Sequence, residues 1–268
     1  MLNSVFSKSL RDRRRSLFWW VGGIAAYVIF LDAFWPFIQD QQEEIGELID
    51  RFPPALLAVF GVDAAGDLFS AAGYLNSRSF GWVVPMVFTI YAAALGARAI
   101  AGEEEDNTID ILLANPISRS RLVIEKFAAM AVVMTVLGGA LLASLLAGDA
   151  LFGLGIPAAR YLAGSFSAVL LGIVFGGIAL VVGATLGSRG PAFGAVAAGS
   201  VAGFLLDSLA RIVTELEPFQ KVSPFYYYGS SELLVRGLNP VHALVLALIA
   251  LLMLALAVLG FRKRDVGV

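Results

Sequence analysis

Six apolar runs alternate with short polar stretches along the chain. A helix needs about 20 mostly apolar residues to cross the hydrocarbon of a bilayer. Residues 17–38, 79–101, 122–147, 160–187, 191–213 and 241–260 reach that length. Only Ser188-Arg189-Gly190 separates the fourth run from the fifth, which predicts a tight helical hairpin. No repeat or low-complexity tract divides the chain, so the pattern predicts one transmembrane domain over 1–268. Its fold class is all-α, a polytopic membrane protein of six transmembrane helices.

The polar stretches carry patterns of their own. Leu2, Val5, Phe6 and Leu10 recur at three- and four-residue steps before Arg13-Arg14-Arg15. This predicts an amphipathic helix over 1–16, lying in the membrane interface. In the loop 39–78, Ile45, Leu48, Ile49, Phe52 and Leu56 form a helical stripe interrupted by Pro53-Pro54. A short interfacial helix and a kink are expected there. The loop 214–240 contains Ser223-Pro224-Phe225-Tyr226-Tyr227-Tyr228. Aromatic residues mark membrane interfaces, and such a loop re-enters the bilayer only where protein shields its backbone.

Composition agrees with the pattern. Hydrophobic residues make up 59% of the 268 and charged residues 15%, against about 25% charged in soluble domains. The first apolar run is too long for a cleavable signal and no small-residue cleavage pattern follows it. There is no cysteine and one histidine, His242, so disulfides, thiolate sites and multi-histidine metal clusters are excluded. Net charge is −2; the placement of the charges is more informative. Of 19 lysines and arginines, Arg51, Arg78, Arg160, Arg211, Lys221 and Arg236 fall on one side of the predicted spans and the other 13 on the opposite side. The positive-inside rule then places both termini, and the segment 102–121, in the cytoplasm of a multi-pass protein of the cell membrane.

No catalytic constellation is visible. The chain has no Gly-x-x-x-x-Gly-Lys-Ser/Thr phosphate loop and no His-Glu-x-x-His. Adjacent acids at 103–106 point in different directions on a helix, which is poor geometry for paired acid–base work. Two carboxylates fall inside spans. Asp32 lies about two turns from the outer end of the first, and Asp207 at similar depth in the fifth. Intramembrane charges face a cavity or a partner, so both are candidates for a transport pathway or a cation site. Asp207 has a bland alternative in pairing with Arg211, four residues on. Gly172/Gly176, Gly183/Gly187, Gly190/Gly194 and Gly199/Gly203 have the spacing that lets helices approach closely, as sliding or static interfaces. His242 is expected to cap or pack at the start of the last span.

The segment 102–121 is the most distinctive. Glu103, Glu104, Glu105 and Asp106 precede Ile109, Leu112 and Leu113 at helical spacing; Asn115-Pro116 ends the pattern and Arg119 and Arg121 follow. Asn107 is placed to cap a helix whose third position is Asp110. An apolar face on a short helix beside a membrane suits either a groove on a soluble protein or packing against the chain itself. The run from Ala101 to Arg119, with Thr108-Ile109-Asp110-Ile111-Leu112-Leu113 before Pro116, Ser118 and Arg119, resembles the signature of type-2 ABC transporter permeases. Glu125-Lys126-Phe127 resembles the start of that family's third span, and the Ser-Pro-Phe-Tyr segment its outer loop. Asn115 stands where the family often has Thr or Arg, and the 39–78 loop is longer than in many members.

The resemblance implies a coupling helix between spans two and three that docks on a separate ATPase. Glu103, Glu104, Asp110, Leu112, Leu113 and Arg119 would make the coupling contacts. It implies a non-catalytic subunit with no cofactor of its own, ATP and Mg2+ being held by the partner. Expected partners are two ABC ATPase copies, a second permease (identical or homologous) and membrane lipid, with no nucleic acid. The expected function is half the pathway of an ATP-driven exporter for a hydrophobic or amphiphilic compound such as a drug, antibiotic or lipid. A cation exporter, motivated by Asp32 and Asp207, and a membrane anchor or sensor that recruits an ATPase are the alternatives. A membrane-embedded enzyme would need an inward cluster of polar catalytic residues, which the chain lacks.

Overall fold

Helices form where the apolar runs predict them. The structure, a computed structural model, describes residues 5–41, 70–109, 117–229 and 233–264, and none of these lies in a strand. In chain order the helices are α1 (Val5–Ala33), α2 (Trp35–Asp40), α3 (Ala71–Leu75), α4 (Val83–Ala99), α5 (Ala101–Glu105), α6 (Arg119–Phe152), α7 (Ala158–Leu186), α8 (Arg189–Ala210), α9 (Glu217–Gln220), α10 (Pro224–Tyr228), α11 (Leu233–Arg236) and α12 (Pro240–Lys263). Six stretches of the described residues are long and apolar enough to cross a membrane: α1–α2, α3–α4, α6, α7, α8 and α12.

The helix ends follow local chemistry. Val5 to Val21 contains neither Gly nor Pro, so helical hydrogen bonding runs unbroken into the first span. Residues 5–16, expected as a separate interfacial helix, are therefore the first turns of α1. A carboxylate oxygen of Glu125, in α6, accepts from the Phe6 backbone N–H at 3.1 Å and satisfies one of the unpaired donors at that end. Pro36 sits in the first turn of α2, where its missing N–H costs nothing. The second span starts earlier than its apolar pattern. A π-helical turn, Asn76–Phe80, joins α3 to a break at Gly81-Trp82 before α4 begins. Pro85 falls in the first turn of α4, again without loss of a helical bond. The stripe predicted over 45–56 lies outside the described residues.

α7 is the centre of the bundle and packs against α4, α6, α8 and α12. It approaches α4 closely: a β-carbon at Gly96 would collide with the Gly176 carbonyl. Gly172 and Gly176 thus serve close packing against α4 and the methionines of α6. At Gly190, Gly194 and Gly199 a β-carbon would meet nothing within 4 Å. The aromatic segment is folded into the bundle. Ser223 caps α10 by accepting from the Phe225 N–H and donates its own hydroxyl to the Gly203 carbonyl at 2.8 Å. Phe225 lies between Phe175 and Phe204, and the buried Tyr228 hydroxyl donates to the Phe80 carbonyl at 3.1 Å. His242 packs against the rings of Tyr226 and Tyr227, while Asn239 caps α12 by accepting from the N–H groups of Val241 and His242.

Candidate functional site: the polar knuckle between the second and third spans

The four acids of 103–106 diverge around a helix, as adjacent residues must. That divergence lets them reach four different helices between them. Glu103 accepts from Lys126 Nζ of α6 at 2.5 Å and lies 3.6 Å from Lys8 Nζ of α1. It also accepts from the Thr108 hydroxyl. Glu104 forms a two-pronged pair with Arg264, just past the end of α12, at 3.0 and 2.8 Å. Glu105 accepts from both the backbone N–H and the side chain of Arg189, at the start of α8, at 2.7 and 2.6 Å. Asp106 pairs with the same guanidinium. One short helix and its turn therefore tie together the ends of α1, α6, α8 and α12.

Local structure sets this arrangement. α5 ends in a turn in which Asn107 takes a left-handed conformation, φ 53°, which Asn tolerates better than most residues. Its N–H bonds the Glu104 carbonyl and the Thr108 N–H bonds the Glu103 carbonyl, so Asn107 closes the preceding helix. An N-cap has extended backbone, and the expected capping role is corrected accordingly. Gly187 closes α7 with φ +67°. A β-carbon there would collide with both Glu104 and Arg264, so the glycine makes room for that pair.

Electrostatics follow from burial and pairing. Burial alone would raise the Glu103 carboxyl. Hydrogen bonds from Lys126 and Thr108, and the charges of Lys126 and Lys8, outweigh it and hold the group below its ordinary value. Glu105 is also lowered, first by the Arg189 backbone N–H. Lys126 is only 8% exposed, so its charge depends on the Glu103 partner.

Ile109 is 4% exposed and joins the chain's own core. Asp110, Leu112 and Leu113 lie outside the described residues. Arg119 donates to the Arg264 carbonyl and lies over the Phe261 ring at 5.8 Å. Glu103, Glu104 and Arg119 are thus brought together within the chain, beside α12 and α6. Lys8, Lys126, Arg189 and Arg264 were not legible as partners of these acids: the sequence marked them by topology, with Lys126 also in the family-like Glu125-Lys126-Phe127 and Arg189 in the hairpin turn. Their shared signal was position at the same end of four different predicted spans.

The two intramembrane acids differ sharply. Asp207, 2% exposed, accepts from Arg211 and from Gln220, both at 3.0 Å. Asp32 is fully buried in α1 against Gly148 of α6, and neither carboxylate oxygen has a hydrogen-bond partner among the described residues. Among those residues no group of three His, Cys, Asp or Glu is arranged to hold a metal ion.

Six helices long and apolar enough to cross a membrane, with α7 at their centre and a short charged knuckle fastening one end, define a multi-pass, all-α membrane protein. Over residues 3–266 the sequence matches the ABC-2 family transporter proteins, and the chain belongs to that family. It is a permease subunit of an ABC transporter, and the family implies association with an ABC ATPase. No curated protein matches the chain.

Proposed function

We propose that this permease forms half the pathway of an ATP-driven exporter and is driven through the knuckle. The observation that carries the reading is the set of ion pairs from Glu103–Asp106 to α1, α6, α8 and α12. Force applied to the knuckle reaches four helix ends at once. Both termini and the knuckle face the cytoplasm, where two ATPase copies hold ATP and Mg2+. Leu112 and Leu113 supply the apolar docking face, with Asp110 setting its orientation. Burial of that face contributes about 25 cal/mol per Å², and charge sets the angle more than the affinity. Glu103, Glu104 and Arg119 pass the motion on. The chain itself carries out no catalysis.

A second permease, identical or homologous, completes the pathway. Gly190, Gly194, Val201 and Leu205 share one face of α8 by helical spacing. The two glycines there meet nothing, and Val201 and Leu205 are exposed. Small residues flanked by exposed aliphatic ones suit close helix pairing in lipid.

The substrate is a hydrophobic or amphiphilic compound, such as a drug, antibiotic or lipid. A cation exporter is the second reading, favoured by the Asp32 carboxylate, which has no hydrogen-bond partner among the described residues. The anchor or sensor reading shares the docking face but moves nothing. Substrate-stimulated ATP hydrolysis by the reconstituted complex supports an exporter; ATPase recruitment without stimulation by any substrate supports an anchor. Unchanged transport in both Asp32→Asn and Asp207→Asn removes these acids from the pathway.

A further inference from the structure

Beside the knuckle, a cavity of about 360 Å³ opens between α1, α4, α6 and the start of α8. Five bases and three acids line it: Lys8, Arg13, Arg98, Lys126 and Arg189, with Asp12, Glu103 and Asp106. The acids are unevenly spent. Glu103 is shared by Lys8 and Lys126, and Asp106 is taken by Arg189. Asp12 is exposed and forms no ion pair among the described residues. Arg13 and Arg98 both line the cavity within electrostatic reach of each other, and the carboxylates of Asp12 and Glu103 also act on Arg13 from a distance. Neither has a hydrogen bond or ion pair among the described residues. Ser9 also lines the cavity, and its buried hydroxyl lacks a partner among those residues.

Asp12 and Glu103 offset part of the repulsion on Arg13 but take none of its N–H donors, so the donors of both arginines stay available to an anion in the cavity. Arginine presents a planar fork of donors that matches phosphate oxygens in pairs. Arg13 lies four residues before the apolar run beginning at Leu17. Both arginines lie at the knuckle's end of their spans, Arg13 in the polar first turns of α1 and Arg98 in the last turn of α4.

We propose that this cavity is a binding site for a phosphate group, held between Arg13 and Arg98 with the Ser9 hydroxyl as a further donor. The source is either the headgroup of a phospholipid in the leaflet on the knuckle's side or a free phosphate. The like-charged pair is then neutralised at the seam between α1 and α4, beside the Glu103 cluster.

The test uses the purified full-length chain in detergent. Dissociation constants are measured from the rise in Tm on adding dihexanoyl phosphatidylglycerol, inorganic phosphate, or dihexanoylglycerol, which has the same tails and no phosphate. The expected result is saturable binding of a phosphate-bearing probe, weakened about tenfold or more in Arg13→Gln/Arg98→Gln. Arg14→Gln, which removes a neighbouring exposed charge, should change it less than about twofold. Binding of the phospholipid alone identifies a headgroup site; equal binding of inorganic phosphate identifies a free anion. Either outcome supports the site if it depends on Arg13 and Arg98. If the double variant does not elute as a monodisperse peak, the exposed Arg98→Gln alone carries the comparison, with Arg98→Lys expected between it and wild type. The proposal is overturned if neither phosphate probe binds or the arginine variants bind like wild type. Equal weakening by Arg14→Gln, or equally tight binding of dihexanoylglycerol, overturns it too.

Discussion

Glu103 accepts from Lys126 and Thr108 and lies beside Lys8, so its ionised form is favoured in the folded chain and its carboxyl sits below the ordinary 4.5. A carboxyl lowered on folding contributes stability above its unfolded value. That contribution is lost as the pH falls through the folded value. Glu103→Gln leaves the buried Lys126 charge without its carboxylate and should cost on the order of 3 kcal/mol at pH 7. The Tm gap between wild type and Glu103→Gln should close as pH falls below about 4.5; a gap constant from pH 7 to pH 3 contradicts the assignment. Asp106 is 61% exposed at its side chain, so Asp106→Asn should cost less than about 1 kcal/mol. Asp32 behaves differently because it has no hydrogen-bond partner among the described residues. Asp32→Asn should leave Tm nearly unchanged or raise it, whereas Gly148→Ala, which pushes a methyl into the Asp32 carboxylate, should cost about 1–3 kcal/mol. A large loss in Asp32→Asn would mean that the carboxylate holds a ligand.

At the scale of the element, the same residue type does different work on different helices. Gly96 and Gly176 bring α4 against α7, and Gly96→Ala forces a methyl into a backbone carbonyl. Its expected cost is about 1–3 kcal/mol, read as a lowered Tm. Gly194→Ala on α8 meets open space and should leave the Tm of the isolated subunit unchanged; any effect should appear only when the permeases pair. The six spans were legible in sequence because an apolar run of bilayer length has few other uses. Their ends were less so. α6 runs for 34 residues, about 51 Å at 1.5 Å per residue. That exceeds a hydrocarbon thickness of about 30 Å, and its polar first turns carry Lys126 to the acids. Hydropathy detects the apolar part of such a helix and stops. The pairing of Asp207 with Arg211 was readable because it is four residues long. Pairing of Glu104 with Arg264 is 160 residues long, and no periodicity encodes it. Asn107 misled for a related reason: a capping residue can start one helix or close another, and the backbone angle decides.

At the scale of the whole molecule, the knuckle is where ion pairs gather the ends of several helices. α1, α6, α8 and α12 each send a base to it, and α4 leads directly into it. The proposed coupling uses the knuckle because the bundle ends are reached together from it. On that proposal, docking and transmission separate by residue. Glu103→Gln should keep the ATPase bound while reducing transport, because its contacts are internal. The most direct test purifies the permease with its ATPase, reconstitutes both, and compares wild type with Leu112→Asp for ATPase co-purification and ATP-driven substrate movement. The account predicts that Leu112→Asp inserts normally, loses the ATPase and transports nothing. Co-purification and transport at wild-type levels in Leu112→Asp would contradict it.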